Sequence, residues 1–216
     1  PYPRRSGKGT DHQSQLSGTS ANAVTETMTI TSLNGSKEEI SLEVPSDPQR
    51  IAILDMASLD ILDALGVGDR VVGTADTSLD YLQSYIGGDV ANLGTIKEAD
   101  LEAVMASEPD VIFIGGRLAS SYDALSEIAP VVYLSVDTEV GVVESVRKNA
   151  TTIASLFGME SKVDELMADF DGRIEALSAF AKDKTAIIGM TTIAAAYIED
   201  RKRVEDCLEK IGYSSK

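Results

Sequence analysis

Pro109–Arg117 constrains this chain more than any other stretch. Val111-Ile112-Phe113-Ile114 is an unbroken apolar run, β-branched or aromatic at every position. Pro109-Asp110 bounds it on one side and Gly115-Gly116 on the other, the pattern of a short strand buried on both faces. Such a strand belongs in a parallel sheet with helices above and below it. Two glycines then permit a tight turn, and Arg117 follows at the strand's carboxyl end. Ligands of open parallel sheets collect at that end. A guanidinium there is a candidate reader of oxygen anions through its planar fork of donors. The plain alternative is a surface arginine after a turn.

The flanking sequence supplies the other layers. Thr27–Leu33 and Glu38–Val44 alternate as strands, with Asn34-Gly35 as the hairpin signal between them. Arg50–Leu54 begins a buried strand, and Ser58 is placed to cap a helix that runs to Leu65 and stops at Gly66. Val71–Gly73 is a second strand of that kind, and Tyr81–Ile86 a brief helical turn. The helix expected over Asp100–Ser107 carries Leu101, Val104 and Met105 on one face. A helix over Ser121–Ile128, a strand over Val131–Val136 and a helix over Glu139–Phe157 follow. Ser161–Lys182 is a long amphipathic helix, about 33 Å at 1.5 Å per residue, with Val163, Leu166, Phe170, Ile174 and Leu177 on one side. Ser161 and Asp164 there resemble a capping box. Thr185–Met190 is one more buried strand, and a charged segment leads to a short helix ending near Gly212. The expected fold is α/β, a Rossmann-like parallel sheet with helices on both faces, plus a long backbone helix.

Charge and rare residues narrow the chemistry. The 216 residues include 19 basic and 35 acidic ones, for a net charge of -16. That argues against nucleic acid or an anionic membrane surface as partner, and any anionic ligand must be met by locally placed Lys or Arg. One cysteine, Cys207, and one histidine, His12, leave no disulfide framework, no multi-histidine metal site and no Ser-His-Asp triad. There is no G-x-G-x-x-G and no P-loop. No apolar run approaches the ~20 residues of a membrane span. These absences favour a binding protein over an enzyme.

Four segments, in this order and spacing, resemble the iron-siderophore solute-binding proteins of ABC importers, whose two lobes are joined by one long helix. They are Pro48–Leu54, Gly94–Glu102, Glu108–Arg117 and Glu127–Tyr133, and Ser161–Lys182 resembles the inter-lobe helix. The resemblance covers about residues 38–192. It implies that Arg117 contacts the anionic oxygens of a ferric siderophore, most like the catecholate-binding branch. Lys97 matches a cleft-mouth position where some relatives carry a second cation, and Asp55, Met56 and Ala57 would line the cleft floor. Tyr122 would stack on a catechol ring or pack under the loop. Glu102 matches the carboxylate that pairs with an arginine of the membrane permease. Local alternatives stand beside these roles: a solvated lysine, an ordinary helix-surface glutamate, and a helix cap for Asp55.

Residues 1–26, rich in Ser, Thr, Gly and Gln without apolar periodicity, read as a disordered leader or linker, and by the resemblance 27–158 are an N-terminal ligand-binding lobe. Residues 159–184 are the inter-lobe helix, and 185–216 a truncated or non-homologous remnant of the C-terminal lobe. The implied protein is an extracytoplasmic monomer, periplasmic or tethered as a lipoprotein. Its partners are a ferric siderophore and an ABC permease, and it has no intrinsic cofactor and no metal ligands of its own. The same fold with haem, cobalamin or another metal chelate as ligand, or an inactive truncated lobe, are the alternatives.

Overall fold

A computed structural model describes residues 26–137 and 139–182. Strands β1 (Thr27–Leu33) and β2 (Glu39–Pro45) form an antiparallel hairpin in which Leu33 faces Glu39. The turn lies where Asn34-Gly35 predicts it, but the loop runs over residues 34–38 and its left-handed position is Lys37, at φ 65°. Asn34 builds the loop with its side chain, whose oxygen accepts from the N–H groups of Ser36 at 2.9 Å and Glu38 at 3.0 Å.

The main sheet begins at β3 (Ile51–Leu54), followed by helix α1 (Met56–Leu65) and β4 (Val71–Thr74). A 3-10 turn, Asp80–Tyr85, leads to β5 (Ala91–Asn92) and a small hairpin of β6 (Gly94–Thr95) and β7 (Glu98–Ala99). Helix α2 (Leu101–Ala106) precedes β8 (Val111–Ile114). Next come a 3-10 turn over Gly116–Ser121, α3 (Tyr122–Ser126) and β9 (Val131–Tyr133). Helices α4 (Val142–Ser155) and α5 (Glu160–Ala181) complete the described chain. The five long-range strands are all parallel, in the order β5-β4-β3-β8-β9.

Alternate residues of the central strands feed two layers, as a strand's period of two requires. Ile51, Ile53, Val111 and Phe113 pack with α1 and α4 residues such as Leu62 and Ile153. Ala52, Leu54, Ile112 and Ile114 pack on the other face with Val104 of α2 and Leu125 of α3. Helices on both faces are therefore observed. At the amino ends, β3 and β8 are clasped together by residues from two of the segments quoted above. The Asp110 carboxylate accepts from the N–H groups of Gln49 and Arg50, both at 2.8 Å. The Arg50 guanidinium donates to the carbonyls of Glu108 and Ser107 in return.

Several local expectations are corrected. Asp55, not Ser58, is the N-cap of α1, because its carboxylate accepts from the Ser58 N–H. Strand β9 stops at Tyr133 rather than Val136, and α4 starts at Val142 rather than Glu139. Ser161 lies inside the first turn of α5, so it does not cap it. Leu101 and Met105 share a helical face with Val104, yet only Val104 is buried; Met105 is 62% exposed. In α5 Val163 is buried, while Leu166, Phe170, Ile174 and Leu177 are exposed. The described chain falls into two compact units divided after Ala168. The leader before Glu26, the strand expected at Thr185–Met190 and the helix expected near Gly212 lie outside the described residues.

The free edge of β9 is closed by one side chain. Ser32 of β1, itself buried, accepts from the Tyr133 N–H at 2.9 Å through its hydroxyl oxygen. Ser32→Ala leaves that buried donor without a partner and is expected to cost about 1–3 kcal/mol. Urea unfolding with an unchanged m-value is the measurement, and a midpoint equal to that of the parent would contradict the assignment.

Candidate functional site

The order of the sheet fixes where a crevice lies. From β3 the chain builds outward through β4 to β5, then returns to β8 on the opposite flank and continues to β9. The connection thus reverses between β3 and β8, and the carboxyl ends of two such strands form the ligand crevice of open α/β sheets. Asp55, Met56 and Ala57 leave β3 at that point, and Gly115, Gly116 and Arg117 leave β8.

The two glycines supply space there rather than an unusual backbone. Neither has a positive φ. A Cβ on Gly115 would stand 2.6 Å from the Asp55 carboxylate, and one on Gly116 would stand 3.2 Å from the Tyr133 hydroxyl. Asp55 is committed to α1, accepting from the Ser58 N–H at 2.9 Å and the Ser58 hydroxyl at 2.8 Å. It therefore shapes the crevice wall while capping a helix. Met56 is half-buried against the core and Ala57 is exposed.

Arg117 is exposed on the 3-10 turn after β8, and its guanidinium has no hydrogen bond or ion pair among the described residues. Lys97 sits at the tip of the β6–β7 hairpin, where the Thr95 hydroxyl accepts from the N–H groups of Lys97 at 3.2 Å and Glu98 at 3.1 Å. Its ammonium is likewise exposed and unpaired. Strand β7 packs against the Gly116–Ser121 turn, so the loops carrying these two cations are neighbours. Tyr122 is 9% exposed and belongs to the apolar layer with Leu118 and Leu125, which places it under the turn. Glu102 is exposed in the first turn of α2, beside exposed Leu101.

Besides the short strands β5, β6 and β7, two features escape the reading of the sequence. The Asp110–Arg50 clasp joins residues 60 apart and has no local signal. The other is a groove of about 840 Å³ between the β1–β2 hairpin, the exit of β9 and α4, with Gly116 and Tyr133 in its wall. It abuts the β8 turn from the side away from β3. Burial holds the Tyr133 hydroxyl above the usual tyrosine pKa, so it stays protonated. Among the described residues no group of three His, Cys, Asp or Glu is placed to hold a metal ion.

If Asp55 caps α1, Asp55→Ala is expected to destabilise the protein by about 0.5–2 kcal/mol, and Asp55→Asn by a few tenths, since Asn caps as well as Asp. Thermal unfolding of the pair measures this; equal losses would show that charge rather than capping is the contribution.

The sequence model of the family described as "Periplasmic binding protein" matches residues 51–214. The petrobactin-binding protein YclQ of Bacillus subtilis is 38% identical over 133 residues, which is 61% of this chain and 42% of that protein. Its crystal structure superposes with a TM-score of 0.66 over 73% of this chain and 54% of that one. The catecholate-siderophore binding protein VctP of Vibrio cholerae superposes with a TM-score of 0.63 at 25% identity, covering 72% of this chain and 55% of its own. The chain thus spans about half the length of the relatives it matches. With the family match covering most of its length, this chain belongs to the periplasmic binding protein family.

Proposed function

We propose that this chain is the N-terminal ligand-binding lobe of an extracytoplasmic solute-binding protein. It takes a ferric siderophore, of catecholate type, and presents it to the permease of an ABC importer. The observation that carries this reading is Arg117, an unpaired guanidinium at the switch point of the sheet with the Lys97 loop packed beside its turn. Catecholate oxygens leave a ferric complex with net negative charge, and guanidinium and ammonium groups are its natural complement. At an effective dielectric of about 20, one such contact near 4 Å is worth about 4 kcal/mol before desolvation. In a chain of net charge -16 these cations are local exceptions to the overall sign. The names of the relatives agree: one binds petrobactin and another a catecholate siderophore.

The iron travels inside the ligand, so the lobe needs no metal ligands and performs no chemistry on its cargo. Relatives named as lipoproteins support a cell-envelope location, tethered or periplasmic. Glu102 is proposed to dock the permease. Helix α2 leads into β8 and runs antiparallel to it, as crossover helices do, so its first turn lies on the same rim as Arg117.

Calorimetric titration of the chain with a ferric catecholate tests the site. Arg117→Ala is expected to weaken binding by about tenfold or more, since hydrogen bonds to charged groups contribute about 1.5–3 kcal/mol. Lys97→Ala should lower affinity less and reduce its salt dependence. Unaltered affinity in Arg117→Ala would remove the basis for the reading. Glu102→Lys should leave siderophore affinity intact while abolishing stimulation of the permease ATPase in reconstituted vesicles, and normal stimulation would rule out docking through this residue.

A further inference from the structure

The groove beside the β8 turn holds a donor that the siderophore site, as described, does not use. Tyr133 ends β9 and is only 2% exposed, packed in the apolar layer with Leu118 and Leu125. Its backbone is satisfied by Ser32, but no described residue bonds to its hydroxyl. That hydroxyl is not sealed in: among the described residues no enclosed side-chain nitrogen or oxygen lacks a partner. The phenol therefore opens on the groove, whose wall it forms together with Gly116.

The groove differs in charge from the crevice. Lys37 and Lys148 line it, but so do Glu39, Asp137 and Glu144, and Lys148 already lies 3.5 Å from Glu39. Glu144 lies 3.7 Å from Arg147 in turn, so the charges about the groove balance and offer the anionic centre of a ferric chelate no net attraction. Leu33, Leu134 and Val140 make parts of the wall apolar. A wall that is apolar in part, with the unpartnered phenol among its polar groups, suits in this volume an uncharged organic segment.

We propose that this groove is the second part of the same ligand site, where the Tyr133 hydroxyl donates to an uncharged acceptor oxygen, such as an amide carbonyl, on an arm of the chelate. The inference rests on the siderophore reading. Arg117 and Lys97 hold the charged oxygens, the groove takes the neutral arm, and a side chain on Gly116 between them would crowd the hydroxyl. A phenol is a donor at neutral pH, and burial moves this one further from ionisation.

Two ferric complexes test this, one of a linear bis(2,3-dihydroxybenzamide) and one of plain catechol, titrated calorimetrically into the full chain. Tyr133→Phe is expected to weaken the amide-bearing chelate about three- to tenfold and leave the catechol complex within about twofold. Its melting temperature should match that of the parent, because the hydroxyl has no partner to lose. Gly116→Ala, which brings a methyl group to 3.2 Å from the hydroxyl, should weaken the amide-bearing chelate in the same direction. Arg117→Ala should weaken both complexes. Equal affinities for Tyr133→Phe and the parent, or equal losses on both chelates, would overturn the subsite while leaving the siderophore reading in place. Failure of the parent chain to bind either complex would overturn that reading and the subsite with it.

Discussion

The pairing of β3 with β8 is the constraint on which the rest of the lobe depends. Ile51 to Leu54 lie in parallel register with Val111 to Ile114, and all eight residues are buried. Burying each large side chain contributes about 1.5–3 kcal/mol, but only if both faces of the pair are covered. The layers of α1 with α4 and of α2 with α3 meet that demand. The two strands also belong to opposite halves of the sheet. Their joint carboxyl end is therefore the place where the chain's connections part and a crevice is left. The clasp of Asp110 with Gln49 and Arg50 fixes the amino ends, and Asp55 against Gly115 fixes the approach of the carboxyl ends.

Cations in this structure separate into two kinds. Arg50 spends its donors on backbone carbonyls, and Arg70 pairs with Asp47 while lying 5.2 Å over the Phe157 ring. Lys162 donates to the Leu65 carbonyl at the end of α1. These are structural cations, held by partners within the lobe. Among the described residues Arg117 and Lys97 have none, in a chain with 35 acidic residues. A free guanidinium at the switch point carries more information than its residue type alone, because the fold has declined every internal use of it.

The longer strands are legible in the sequence because their signal is local, whereas the two-residue strands β5, β6 and β7 carry no such signal and are not expected from it. Four apolar residues between Pro-Asp and Gly-Gly define β8, and the alternation in Thr27–Leu33 defines β1 to the residue. Helix existence was equally plain from the spacing of apolar positions. Which of those positions is buried was not, since burial depends on what lies opposite: Val104 is covered and Met105 is not, Val163 is covered and Leu166 is not. Caps shifted for a similar reason. Asp55 and Ser58 are both good caps, and only the geometry at the end of β3 makes Asp55 the acceptor. Among the site residues, the loop positions of Arg117 and Lys97 follow from sequence order, but their adjacency comes from β7 packing on the β8 turn. Tyr133 was hidden by its own context. At the end of an apolar strand it reads as core, which it is, and only the opening of the groove at its hydroxyl gives it a second role.

A single edge of the sheet then gathers every residue proposed to have a role. Arg117, the Lys97 hairpin, the groove at Tyr133 and the first turn of α2 with Glu102 all stand at the carboxyl rim. The amino rim is occupied by the Asp110–Arg50 clasp, whose donors and acceptors are mutually satisfied. This asymmetry is what parallel strands impose: every strand exits on one side, so its loops must meet there. Loops free of ladder hydrogen bonding can change without disturbing β3 and β8, and the strands in turn hold those loops in fixed relation. The proposed ligand site and the proposed docking site can share that rim because the rigid pair beneath it would support both.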